Sequence, residues 1–205
     1  MTTYVCNISG RTPILMHRFD EQNEVDEAAR KIHVMSTDPR ERAEKCAYRD
    51  PDGALYLPGS AIARMLREAG GSYKQRGSRK SLKFVVPAAI LVVEDHITLR
   101  DIDGNALTDF EVDGRPVTIP ATKGRIMRYR PRLNNWGCEF SLEIDETLME
   151  ATLVHQLIVD GGQKIGLLDY RPEKGGPFGR FQVVRWAEMG AKVTPVTRLP
   201  KSKAA

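Results

Sequence analysis

The chain lacks any apolar run of the roughly 18 residues that a membrane-spanning helix needs. Its N-terminal MTTYVCNISG has neither a basic segment nor an apolar core, so no secretory signal and no membrane association are expected, and the expectation is a cytoplasmic protein. Cysteine is scarce. Cys6, Cys46 and Cys138 lie far apart with no Cys-x-x-Cys pair to build a zinc site or a redox motif, and they are read as reduced thiols. The four histidines, His17, His33, His96 and His155, show no metal-ligand spacing, so no metal is expected. A Walker A loop is missing, as is a dinucleotide fingerprint, which disfavours nucleotide hydrolysis and leaves no cofactor to expect.

What is present fits one large domain. Of the 205 residues 41% are hydrophobic and 28% charged, close to the globular average, and the net charge is +4. The distribution of charge says more than its total. Residues 74–83 and 123–132 are rich in Lys and Arg and hold no acid, whereas acids gather in 20–27 and 94–111, which predicts a basic face and an acidic one.

Residues 4–15 read as a first strand, followed by a polar insertion over about 17–50 with a helix-like piece at 24–33. A turn cluster ending at Gly53 leads to a short strand, 54–57. Ser60 then reads as the N-cap of a helix whose apolar residues Ile62, Met65, Leu66 and Ala69 fall at helical spacing before Gly70 and Gly71. The apolar run 84–93 suggests one or two buried strands. A second insertion, about 100–135, reads as short strands with Asp103-Gly104 and Asp113-Gly114 turns. A basic arm then turns at 134–137 into the alternating strand 138–144, giving a thumb-like β-hairpin. Asp145 reads as the cap of a second helix over 146–159, which Gly161 and Gly162 would end, and a glycine-rich loop leads to a last strand at 181–186. The order is βαββαβ, an α+β, ferredoxin-like (RRM-like) core with an antiparallel sheet and an open sheet face that takes nucleic acid in the RNA-recognition version of this scheme. One domain, 1–196, and a basic tail, 197–205, are expected.

Two segments carry candidate chemistry. Residues 160–181 hold Gly161, Gly162, Gly166, Gly175, Gly176 and Gly179 among Lys164, Arg171, Lys174 and Arg180, a composition that lets backbone amides and cations approach phosphates. On the hairpin arm, Arg128, Arg130 and Arg132 alternate onto one face, with Lys123 and Arg125 on the other. Tyr129 and Trp136 are candidates to stack on a base, core packing being the alternative for Trp136.

The run YLPGSAIARMLR at 56–67 resembles the strand-to-helix signature of the RAMP superfamily of CRISPR-associated proteins, commonly written (Y/V)IPGSSLKGALR. ISGRTPIL at 8–15 is similar to that family's first strand and turn, and GPFGRF at 176–181 to its C-terminal glycine-rich loop. Ala63 stands where the family has Lys and Arg64 where it has Gly, while Arg67 matches in place. The resemblance is strongest to effector-complex backbone subunits, as a divergent or free-standing member. It implies a non-enzymatic subunit that binds single-stranded guide RNA through phosphates, with single-stranded DNA as a second candidate. It also implies head-to-tail assembly with copies of itself and contact with other CRISPR effector subunits. Taken with the basic stretches and the glycine-rich segment, the candidate contacts are Arg64, Arg67, Lys80, Lys83, Lys123, Arg125, Arg128, Arg130, Arg132, Gly162, Lys164, Arg171, Lys174, Gly176, Gly179 and Arg180. The alternatives are a metal-independent RNA-processing endoribonuclease, for which His17 is the candidate, and a mimic from a virus or mobile element that inhibits or redirects a CRISPR complex. Some backbone subunits cut target RNA with an Asp in the insertion after the first strand, a place where Asp26 and Asp38 both stay unassigned.

Overall fold

Alternating apolar residues make β1 (Thr2–Gly10) the central strand of the computed structural model, which describes residues 1–18, 38–75, 77–118 and 123–190. In chain order there follow β2 (Ile14–Leu15), α1 (Pro39–Lys45), β3 (Tyr56–Pro58), α2 (Gly59–Ala69), α3 (Val86–Ala89), β4 (Ile90–Val92), β5 (His96–Thr98), β6 (Glu111–Thr118), β7 (Arg125–Leu133), β8 (Gly137–Ile144), α4 (Ala151–Asp160) and β9 (Phe181–Glu188). The helix-like piece at 24–33, with Asp26, and the basic tail lie outside the described residues. No helix among the described residues is long and apolar enough to cross a membrane.

The main sheet has the antiparallel order β4-β8-β1-β9, the spatial order that a βαββαβ ferredoxin-like chain generates, with α2 and α4 as its two helices. Cys6 and Ile8 of β1 and Phe140, Leu142 and Ile144 of β8 are buried together with Ile62, Met65 and Leu66 of α2 and Val154, Leu157 and Ile158 of α4. Truncating a side chain as completely buried as Phe140 to Ala typically costs about 3–5 kcal/mol. The helices meet closely because Gly161, just past α4, has no side chain: a Cβ there would lie 1.9 Å from the Met65 sulfur. The reduced thiols of Cys6 and Cys138 are buried in this core, and burial pushes Cys6 up to about 12 and Cys138 upward as well.

The other face of the sheet is polar and partly acidic. Val5 pairs there with Ser141 and Ala187, Asn7 with Glu139 and Arg185, and Thr3 with Glu143. The aromatic residues of these strands pack on the helix side: Tyr4 stacks on Trp186 with centroids 5.0 Å apart, and His155 of α4 lies 5.5 Å from the same indole. The open face therefore lacks the aromatic platform by which RNA-recognition folds hold bases, and its acids repel a phosphate chain.

A second sheet, β2-β7-β6, corrects the expected hairpin. Strand β7 pairs with β6 from Glu111↔Arg132 to Thr118↔Arg125, not with β8, which lies between β1 and β4. Asp113-Gly114 is not a turn but mid-strand, and Gly114 is required because the Tyr129 ring would sit 2.9 Å from a Cβ. The stretch 4–15 is likewise two strands in two sheets, split at the Thr12-Pro13 break. Trp136 is buried, donates from Nε1 to the Thr12 carbonyl at 2.9 Å and lies against Gly10, so it holds this junction and offers no stacking surface.

Helix boundaries also differ from expectation. Pro58 occupies the N-cap of α2, and Ser60 is inside the first turn. The segment 84–93 is a helical turn around Pro87 followed by β4 alone, since Pro at the start of a helix is favoured over Pro in a central strand. Asp145 caps a turn by accepting from Thr147, and α4 begins only at Ala151. Gly161 and Gly162 continue α4 into a widened turn, Gly161–Ile165, instead of ending it.

Candidate nucleic-acid interface

The end of β2, the first turn of α2 and the glycine-rich loop enclose a cavity of about 290 Å³. Pro58, Ser60, Ala61, Arg64 and Met65 come from β3 and α2, His17 from the segment after β2, Tyr48 from the one after α1, and Ile165, Gly166, Leu168, Asp169 and Arg171 from the loop. No side chain caps α2, so its positive end meets the cavity without a competing carboxylate at the cap. Arg64 also borders a second groove, shared with Arg67, Leu66, Val86 and Pro87. A third hollow, beyond the Gly161–Ile165 turn, is lined by Arg11, Thr12, Gly162, Gln163 and Arg180.

Asp169 organises the cavity wall. Its Oδ2 lies 2.7 Å from Arg130 Nε and 3.6 Å from His17 Nδ1, and its amide donates to the Leu15 carbonyl at 3.1 Å. Arg130 has only 9% of its side chain exposed, and its Nε is set off the line of a hydrogen bond, so the contact is one of charge. Burial alone would raise the Asp169 pKa. His17 and the Arg130 charge outweigh it and hold the carboxyl below the ordinary range. Leu168 and Tyr170, on either side, both have left-handed backbones (φ 58° and 47°), uncommon for residues with a Cβ.

The base of the hairpin is anchored, while its outer described residues, Thr118 and Arg125 among them, are exposed. Arg128, Arg130 and Arg132 do share a face, but opposite them in register stand Arg115, Asp113 and Glu111. Buried Asp113 pairs with Arg115 at 2.7 Å, whose guanidinium lies 4.7 Å from the Phe178 ring of the glycine-rich loop. Arg132 donates to Asn134, which donates in turn to Glu111. On the other face, Arg42 of α1 covers the Tyr129 ring at 4.9 Å and donates to the Met127 carbonyl.

The remaining candidates divide by what holds them. Lys83 pairs with Glu68 at 2.7 Å, Lys164 with Asp160 at 2.9 Å, and Arg171 with Glu173 at 2.5 Å while donating to the Leu168 carbonyl; Lys174 is exposed, 3.9 Å from Glu173. Arg64, Arg67, Lys80, Lys123, Arg125 and Arg180 are exposed. The glycines serve packing: a Cβ on Gly162, Gly176 or Gly179 would meet backbone oxygens of Phe181, Tyr170 or Leu167 at 2.6, 1.7 and 2.1 Å, and Gly179 has φ +71°. Asp38 caps α1 through the Arg40 amide. Sequence reasoning missed Asp169, Tyr48, Ser60 as a cavity residue, and Arg11. Asp169 was the legible one, an acid within a cationic loop. No group of side chains suited to a metal ion occurs among the described residues.

No protein-family model and no curated protein matches the sequence. In structure the chain is similar to a chain of a solved assembly described as a Type IV-B CRISPR Complex. The two are 11% identical with a TM-score of 0.45, over 97% of this chain and 95% of that one.

Proposed function

We propose that the protein binds single-stranded RNA through its phosphates and acts as a backbone-like subunit of a CRISPR-associated assembly, with further copies of itself following along the strand. The observation that carries the reading is convergence. The segments that resemble the RAMP superfamily, far apart in sequence, border two hollows joined by the Gly161–Ile165 turn, and exposed arginines stand at both: Arg64 at one, Arg11 and Arg180 at the other. Cations read the chain's phosphates without reading its bases, so binding is salt-sensitive and broadly sequence-tolerant. Arg64→Ala combined with Arg67→Ala should weaken binding of single-stranded RNA about tenfold and lower the salt slope by about 0.7 for each phosphate no longer neutralised. Wild-type affinity and slope in that variant overturn the reading.

A second reading, metal-independent RNA cleavage, is favoured by the partner that His17 finds in Asp169, the pairing of a base with an orienting carboxylate. RNA incubated with the protein and a chelator should then yield fragments with cyclic phosphate ends, and His17→Ala should abolish them. Intact RNA with the wild-type protein removes this reading.

A further inference from the structure

The cavity beside α2 is roomier and chemically less uniform than a phosphate contact requires. At about 290 Å³ it is near the lower end of small-molecule sites, roughly 300 Å³ upward. Tyr48, Met65, Ile165 and Leu168 give it apolar walls, from which a phosphate gains nothing. Asp169, paired with Arg130, adds a carboxylate that accepts hydrogen bonds from N–H donors, beside the cationic Arg64 and Arg171. Arg64, by contrast, is exposed and borders both the cavity and the neighbouring groove.

We propose that the cavity seats one unstacked nucleobase of the bound strand, of the class that carries an exocyclic amino group, with the adjoining phosphate held by Arg64; this rests on the RNA-binding reading above. The amino group of cytosine, adenine or guanine donates to the Asp169 carboxylate, the pairing by which acidic side chains read cytosine in nucleic-acid grooves. Uracil has a carbonyl oxygen in place of the cytosine amino group and keeps only its ring N3–H to donate, so it is disfavoured. The left-handed backbones of Leu168 and Tyr170 support a ligand role, because strain of this kind is retained where a side chain must be held in one position. His17 and Arg130 keep Asp169 ionised and fixed. The strand is then read at one nucleotide per subunit while its other contacts ignore sequence.

The test titrates the full chain with CMP, AMP and UMP against ribose 5-phosphate, which has the sugar and the charge but no base, using calorimetry. CMP and AMP should bind about tenfold or more tightly than ribose 5-phosphate, with UMP closer to ribose 5-phosphate. Asp169→Asn, whose amide also donates, should close the gap between CMP and UMP. Because that variant also loosens Arg130, Ala61→Leu, which fills the cavity, is measured beside it and should lower nucleotide binding while sparing ribose 5-phosphate. Equal binding of ribose 5-phosphate and the nucleotides by wild-type protein overturns the proposal. Long single-stranded RNA is titrated in parallel. If RNA binds and Arg64→Ala weakens it with no preference for a base, the seat falls and the RNA reading stands; if nucleotides bind selectively but RNA does not, the RNA reading falls and the seat stands. If neither binds, both fall.

Discussion

Replacing Asp169 by Asn leaves the Arg130 guanidinium without its counter-charge in a place where water hardly reaches it. Breaking a fully buried pair from one side costs about 3–5 kcal/mol, and because Asp169 keeps 30% of its side chain exposed we expect the low side of that, about 2–3 kcal/mol. The pH dependence follows from the sign of the shift. The folded-state pKa of Asp169 is depressed, so its contribution is complete above the ordinary Asp value of about 3.9 and is lost as pH falls through the lower folded value. Thermal unfolding of wild type and Asp169→Asn should therefore differ at about pH 5, and the gap should close below about pH 4. A gap that fails to close in that acid range contradicts this account of the residue.

The hairpin shows what a strand pattern reveals and what it hides. Period-two alternation places Arg128, Arg130 and Arg132 on one face, and they are on one face. Alternation does not say what that face meets, because the partner strand is chosen by tertiary packing, and here it carries Glu111 and Asp113 with the glycine-rich loop behind. The Asp-Gly pair misled for the same reason: Gly114 answers to the Tyr129 ring, a contact invisible along the chain. Arg130→Ala is therefore expected to destabilise the fold by about 2–3 kcal/mol, through the stranded Asp169, whereas Arg125→Ala at the exposed end of the same strand changes stability by less than about 0.5 kcal/mol. Denaturant unfolding of the two single variants decides this, and equal effects would show that position along the arm does not matter.

For the molecule as a whole, element order was the readable part: strand, helix, strand, strand, helix, strand generates the sheet order seen, and the buried stripe of α2 follows its apolar spacing. The site was readable as three segments, not as a place. Asp169 and Tyr48 join it only because the loop and the stretch after α1 fold back onto α2, a closure that local pattern does not encode. Two unlike faces result, an acidic sheet surface with Glu139 and Glu143 and a cationic side with Arg64 and Arg67. Glu139→Gln with Glu143→Gln should accordingly leave RNA affinity within about twofold of wild type, since neither residue lines the cavity and the exposed Glu139 and half-buried Glu143, on the far face, are screened from a strand bound there. Light scattering with long RNA should give masses of several copies per strand; one copy per strand counts against assembly along it.

The burial of two thiols makes the chain ready for optical work without further engineering. With Cys6 and Cys138 buried and resistant to ionisation, a maleimide dye at neutral pH should react at Cys46 alone, the residue that closes α1. A fluorophore there stands on the helix that covers Tyr129, so its anisotropy or quenching reports directly on whether the hairpin and α1 move as one body when a strand binds.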